Sequence, residues 1–266
     1  MVRILVTNDD GVDSPGIWTM VRQLRPFAEV TVVAPWQNMS GCSLATLYKQ
    51  PIRLQRTSAP WPDLAVVPAY GVQSTPASCV LLALRELTGP DVDLVISGIN
   101  DVPNVSRDIL LSGTVGAAFF AHLHDVPAMA VSVATIDGVV RDWLPSATVA
   151  AALAGHNDEW RHLEALLNVN VPNLPLDQMR GWCVTSLSHS IYAKTVQLER
   201  DSVDPDARRY QLAVWNPDVS QQGSDEWALE RGYVSVTPVH ADLSDGRARF
   251  PLERCVDGFK PFLSRG

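Results

Sequence analysis

Apolar residues along this chain alternate between short unbroken runs and longer stretches at helical spacing. Arg3–Thr7 (RILVT) is an apolar run ending in turn-prone residues, and it reads as a buried strand. After Asn8–Pro15, the apolar positions Ile17, Met20, Val21 and Leu24 share one helical face. Pro26 closes that helix because its ring cannot continue the hydrogen-bond ladder. Val30–Ala34 (VTVVA) is a second buried strand, stopped by Pro35. A strand–helix–strand opening favours a parallel pair with a right-handed crossover. The alternation then continues with a helix opening at Pro76 and running through Cys79–Leu87, a strand over Asp93–Ser97 and a helix over Gly113–Leu123. Met129–Val133 reads as strand, Ser146–Leu167 as mostly helix, and Leu167–Val171 as one more strand. These repeats predict the α/β class with a doubly wound, mostly parallel sheet. Beyond Gly181 the pattern changes to strand-like pieces, CVTSL, YQLAVW and YVSVTPV. The expected organisation is an α/β core over 1–180 and a β-rich extension over 181–266, made of hairpins that cover the core or a neighbouring subunit rather than a second domain.

Composition narrows this picture. A chain of 266 residues suits one large domain with an appendage. At 46% apolar and 19% charged residues it can bury a core, which argues against disorder. Lys and Arg number 21 against 29 Asp and Glu, a net charge of −8. That balance argues against binding a nucleic-acid polymer, whose phosphates need clustered cations. A small anionic substrate stays open, because a bound metal reverses the local sign. Charged residues are about twice as dense after Leu198 as before it. The charge-free stretch Leu64–Leu84 is long enough to span a bilayer, at roughly 20 residues. It carries Pro68, Gly71, Gln73, Ser74, Thr75 and Pro76, however, so no membrane segment is expected. MVRILVTNDDG is no secretory signal. Cys42, Cys79, Cys183 and Cys255 lie far apart with no C-x-x-C pair, so a reducing, cytoplasmic compartment is expected.

Ligands in open α/β sheets bind outside the carboxyl ends of the strands. Three polar loops here follow expected strands: Asn8-Asp9-Asp10-Gly11, Asn38–Ser43 and Ser97-Gly98-Ile99-Asn100. Adjacent carboxylates repel and raise each other's pKa unless a cation lies between them. Asp9, Asp10, Ser40 and Asn100 form an oxygen-only set of the kind a hard divalent ion prefers. Asp-Asp-Gly alone equally suits a turn before a helix cap; three polar loops at successive strand ends favour a site. Asn104 with Ser112-Gly113-Thr114 stands before the helix starting at Val115, where small residues expose amides to an anion. The same residues also make an ordinary Ser/Thr cap. No Walker loop, no G-x-G-x-x-G after the first strand and no G-x-S-x-G elbow is present. His122 and His124 read as surface or packing residues, whereas His189 can approach the rim. Trp36, beside the second loop, is a candidate stacking surface.

In this order, VTNDDG, APWQNMSGCS, DLVISGIN, SGTVGAA, LNVNVP and GYVSVTPVHADL resemble the SurE family (survival protein E, nucleoside monophosphate phosphatases) from Met1 to about Leu243. The resemblance implies a Rossmann-like core, a C-terminal extension exchanged between subunits, and a divalent-metal phosphomonoesterase of the 5'-nucleotidase type. It implies one Mg²⁺ or Mn²⁺ per subunit on Asp9, Asp10, Ser40 and Asn100, and phosphate-side residues Asn104, Ser112, Gly113 and Thr114. Asp9, Asp10, Asn104 and Ser112 are then the catalytic set, with water favoured over an aspartate as nucleophile. Homodimers or homotetramers in the cytoplasm are implied as well. Departures surround the metal set: Asp101 and Val102 replace small residues, Leu111 an aromatic, Phe120 a Glu, and Ser74 and Ser78 the usual Gly and Asp. They motivate an alternative, a phosphatase specialised for a biosynthetic phosphate ester. A regulatory protein that binds metal and anion without turnover is the third reading.

Overall fold

The computed structural model of the chain describes all residues except 48, 90, 136–138, 192, 200–208, 215–219, 245–247, 249–251 and 254–266. Cys255 and Trp215, the last letter of YQLAVW, lie outside the described residues. In chain order the elements are β1 (Val2–Thr7), α1 (Pro15–Leu24), β2 (Ala28–Pro35), β3 (Leu54–Thr57), β4 (Ala69–Val72), α2 (Pro76–Leu82), β5 (Leu94–Asn100), α3 (Gly113–His122) and β6 (Ala128–Ala134). There follow α4 (Leu144–Gly155), α5 (Asn157–Trp160), β7 (Leu166–Pro172), β8 (Trp182–Val184), β9 (Ala193–Glu199), β10 (Arg209–Val214), α6 (Asp225–Glu230) and β11 (Val234–Val239).

One nine-stranded sheet runs β3-β4-β2-β1-β5-β6-β7-β11-β8. The six strands from β4 to β7 are parallel, whereas β3 pairs antiparallel with β4 and β11 antiparallel with β7. Side chains alternate across this sheet. Ile4 and Val6 of β1 join the cluster that α1 and α4 complete with Ile17, Trp18, Met20 and Ala150. Leu5 points to the opposite cluster, where α2 and α3 supply Cys79, Val80, Val115 and Ala118. α1 opens on Pro15, whose missing N–H costs nothing in a first helical turn, and Trp18 Nε1 donates to Val12 O at 2.7 Å.

The chain leaves β1 towards β2 and β4, then returns to place β5 on the other side of β1. In doubly wound sheets such a reversal sets a ligand-binding crevice between the carboxyl ends of the two strands, here β1 and β5.

Several boundaries differ from the periodicity reading. The helix expected over Ser146–Leu167 ends at Gly155; His156 leaves helical geometry (φ −111°, ψ 24°), one short turn follows, and the chain is extended again from Leu166. Trp160, Leu163 and Leu167 keep helical spacing beyond that break, so periodicity alone carries the helix through it. The helix over Cys79–Leu87 is α2 followed by a wider turn, in which Thr88 N donates to Ala83 O at 2.9 Å. Ser97-Gly98-Ile99-Asn100 is the buried end of β5, not a loop. The four-residue strands β3 and β4 escape the pattern because neither is long enough to show one. Past residue 180, β8 and β11 add to the main sheet, while β9 and β10 form a separate antiparallel ribbon.

Candidate active site

Asn8 shapes the turn after β1. Its Nδ2 donates to Gly11 O at 2.9 Å and its Oδ1 accepts Gly11 N at 3.2 Å. Gly11 takes φ +107°, which glycine alone adopts without strain. This turn sets Asp9 and Asp10 side by side at the strand end. Asp9 is buried, and its Oδ1 accepts the Thr114 hydroxyl in a short hydrogen bond. The Thr114 backbone amide also acts on this carboxylate, so the start of α3 is turned towards Asp9. A Cβ on Gly113 would lie 2.8 Å from Asp9 Oδ2 and 2.8 Å from Cys42 Sγ, so only glycine lets helix, carboxylate and thiol meet.

The loop after β2 is tied to both partners. Met39 N donates to Asp9 O at 2.6 Å. Asn38 bridges Asp10 and Ser40: its Nδ2 donates to Asp10 Oδ1 at 3.4 Å, and its Oδ1 accepts Ser40 N at 2.9 Å. On the far side, Ser43 N and Oγ donate to the carbonyls of Leu111 and Leu110 at 3.1 and 2.6 Å. Trp36 packs over Gly71, with the Arg53 guanidinium 5.5 Å from its ring.

Across the crevice, Asn100 is buried at the end of β5. Its Nδ2 donates to Val102 O at 2.7 Å, which leaves the amide oxygen available as a donor atom. Asn104 is held on all sides. Its N–H donates to Asn170 Oδ1 at 2.8 Å, its carbonyl accepts Nδ2 of both Asn168 and Asn170 at 2.8 Å, and its Nδ2 donates to Ser132 Oγ at 2.8 Å. Ser112 caps α3, its Oγ accepting Val115 N at 3.1 Å. His189 stands beside Arg107, Nδ1 to Nη2 3.1 Å, and is exposed.

The sequence reading gives no role to Asn38, Ser132, Asn168 or Asn170. A signal exists for the last two: LNVNVP sets two amides on one face of a buried strand, where an unpaired polar group is costly.

Burial raises the pKa of Asp9, partly offset by the Thr114 hydroxyl and amides. Burial, then the charges of Asp9 and Asp101, push Asp10 up to about 7. Burial and the Asp9 charge also push the Cys42 thiol up to about 11, which keeps it a neutral neighbour. Asp10 Oδ2 is buried with no hydrogen-bond partner among the described residues. Crowded carboxylates with an orphaned oxygen, together with a serine hydroxyl and an amide oxygen, are a donor set that fits a hard divalent cation. Among the described residues no group of three or more His, Cys, Asp and Glu is placed to hold an ion. No helix among them is long and apolar enough to cross a membrane.

Comparison with known proteins gives one answer. Residues 4–194 match the family of survival protein SurE. The 5'-nucleotidase SurE of Dehalococcoides mccartyi is 36% identical over 247 residues, 91% of this chain and 90% of that protein. The 5'/3'-nucleotidase SurE of Edwardsiella ictaluri is 38% identical over 253 residues, 93% of each. The crystal structure of the SurE protein from Aquifex aeolicus superposes with a TM-score of 0.78 at 30% identity, covering 95% of this chain and 99% of that one. With the motifs in order, the crevice at the strand reversal and these matches along nearly the whole chain, the protein belongs to the SurE family.

Proposed function

We propose that the protein hydrolyses nucleoside monophosphates to nucleoside and inorganic phosphate, using one Mg²⁺ or Mn²⁺ per subunit held by Asp9, Asp10, Ser40 and Asn100. The observation that carries this reading is the orphaned Asp10 Oδ2 beside buried Asp9, two carboxylates whose charged forms are disfavoured by burial and which a cation would stabilise. The naming of relatives as 5'-nucleotidases over about nine-tenths of the chain supports the substrate class. When bound, the ion would supply the positive charge that a phosphoryl oxygen and an attacking water need.

This chain's own residues do the rest. Thr114, expected on the phosphate side, orients Asp9 through its hydroxyl and amide. Asn38 keeps Ser40 close to Asp10. Gly113 and Ser112, at the start of α3, face the phosphate with backbone amide and hydroxyl, and the helix dipole favours the anion there. Asn104 completes that wall, fixed so that no reorganisation is needed as charge develops.

The active form is a homodimer or homotetramer, joined through the segment beyond residue 180. Support comes from the β9–β10 ribbon, which stands apart from the main sheet and exposes Val196, Leu198 and Tyr210. A two-stranded ribbon is marginal alone in water and gains from a neighbouring surface. Free thiols on Cys42, Cys79 and Cys183 suit a cytoplasmic location.

The deciding assay measures phosphate release from a panel of nucleoside monophosphates with Mg²⁺ or Mn²⁺. Release should stop with chelator and with Asp9→Asn; release indifferent to both would end the metal reading. Light scattering on the eluted protein should give two or four subunits, and Leu198→Asp should lower that number.

A further inference from the structure

Asp225 belongs to the C-terminal part of the chain, yet its carboxylate reaches the wall of the candidate site. It is fully buried. Its Oδ2 accepts the Ser106 amide at 2.7 Å, and its Oδ1 accepts the amides of Ser188 at 3.0 Å and Glu226 at 2.9 Å. One side chain thus joins the segment after β5, the segment after β8 and the first turn of α6. The neighbouring backbone reinforces the joint, with Arg107 N donating to Ser190 O at 3.4 Å and Asp225 N to Ser186 O at 2.9 Å. Ser106 has φ +59°, a left-handed conformation that a residue with a Cβ keeps only when its surroundings impose it. Two residues earlier stands Asn104, gripped from the other side by Asn168 and Asn170.

We propose that Asp225 is a positioning residue for the reaction: its bond to the Ser106 amide holds the left-handed turn that keeps Asn104 and the following segment up to Ser112 in place. The proposal rests on the phosphatase reading for its kinetic part. Its structural part stands without it. A charge-assisted bond to a buried amide is among the stronger ones a carboxylate makes. With the acceptor removed, Ser106 N–H becomes a buried orphan and the turn loses the group that opposes its relaxation.

Asp225→Asn tests this. The amide keeps the side-chain size and one oxygen for Ser188 and Glu226, but sets an NH₂ donor against the Ser106 N–H. The variant should fold, show faster hydrogen exchange over 103–110 and unchanged exchange over α3. For a nucleoside monophosphate, kcat should fall about tenfold or more, while KM and the Mn²⁺ concentration for half-maximal rate move less than about twofold. Adding Ser106→Gly should restore part of kcat, because glycine takes the left-handed turn at no steric cost. A merely structural role predicts activity that tracks the folded fraction and no rescue by Ser106→Gly, and that result, or unchanged exchange over 103–110, overturns the proposal. Should Asp225→Asn fail to fold, Ser106→Val opposes the turn without touching the carboxylate. It should show the same loss of kcat at retained KM, and full kcat in that variant also overturns the proposal. A parent protein that releases no phosphate from any nucleotide defeats the phosphatase reading, while the exchange comparison still decides the clamp.

Discussion

Single atoms set the character of the site. Gly113 leaves no room for a side chain, because the atoms a Cβ would strike belong to groups that are themselves held: Asp9 by Thr114, Cys42 by its turn. Gly113→Ala should cost about 1–3 kcal/mol of stability, the usual range for overpacking, and lose most phosphate release; urea unfolding and the assay above measure the two. Asp10 makes a second prediction. Its folded pKa is about 7 against an ordinary 3.8, so the stability it contributes is full at low pH and is lost as pH rises through about 7. Unfolded in urea with chelator, the metal-free protein should therefore lose stability between about pH 4 and pH 7 through this group. Asp10→Asn should flatten that dependence, and a profile parallel to the parent's would contradict the assignment. The proposed oxygen-only set was chosen from residue types alone, since polar loops and strand ends carry its carboxylates, hydroxyl and amide in full view. The role of Thr114 was not, because a threonine at a helix start has the same local appearance whether it caps the helix or grips a carboxylate.

Among the elements, β7 shows how a buried strand serves a site. Asn170 holds both the N–H and the carbonyl of Asn104, whereas Asn168 holds the carbonyl only. Asn170→Ala should cost more than Asn168→Ala, about 1–3 kcal/mol for each buried group left unpaired, and thermal unfolding of the two variants gives the order. The reverse order would mean that the carbonyl contacts outweigh the amide. Periodicity found β1, α1, β2, α3, β6 and β7 because each is long enough to display its rhythm. It overran α4, since Trp160, Leu163 and Leu167 keep helical spacing beyond the break at His156. It missed β3 and β4, whose strand state comes from pairing with β2 and with each other rather than from their own four residues.

On the scale of the whole molecule, β8 and β11, both beyond residue 180, are bound into the main sheet. β11 lies antiparallel against β7 and carries β8 on its outer edge. A chain ending at residue 180 loses both strands and Asp225 and exposes the β7 edge, an invitation to intermolecular pairing. It should elute as aggregate in size-exclusion chromatography, whereas a monodisperse, active truncated chain would show that the core is self-sufficient. The net charge of −8 belongs to this scale as well: an acidic molecule acting on anions needs a cation at the point of contact.

The longer strands and helices and the doubly wound class could be read from the chain, because each depends on neighbours in sequence, and the proposed metal-type donor set was chosen there on the chemistry of residue types. Folding alone settled which partners these residues meet. Asn38 between Asp10 and Ser40, Thr114 on Asp9, the asparagines of β7 on Asn104 and the reach of Asp225 to Ser106, 119 residues away, are contacts between distant segments. Such hydrogen bonds leave no period and no local preference behind, so they exist only once the sheet has brought its strand ends together.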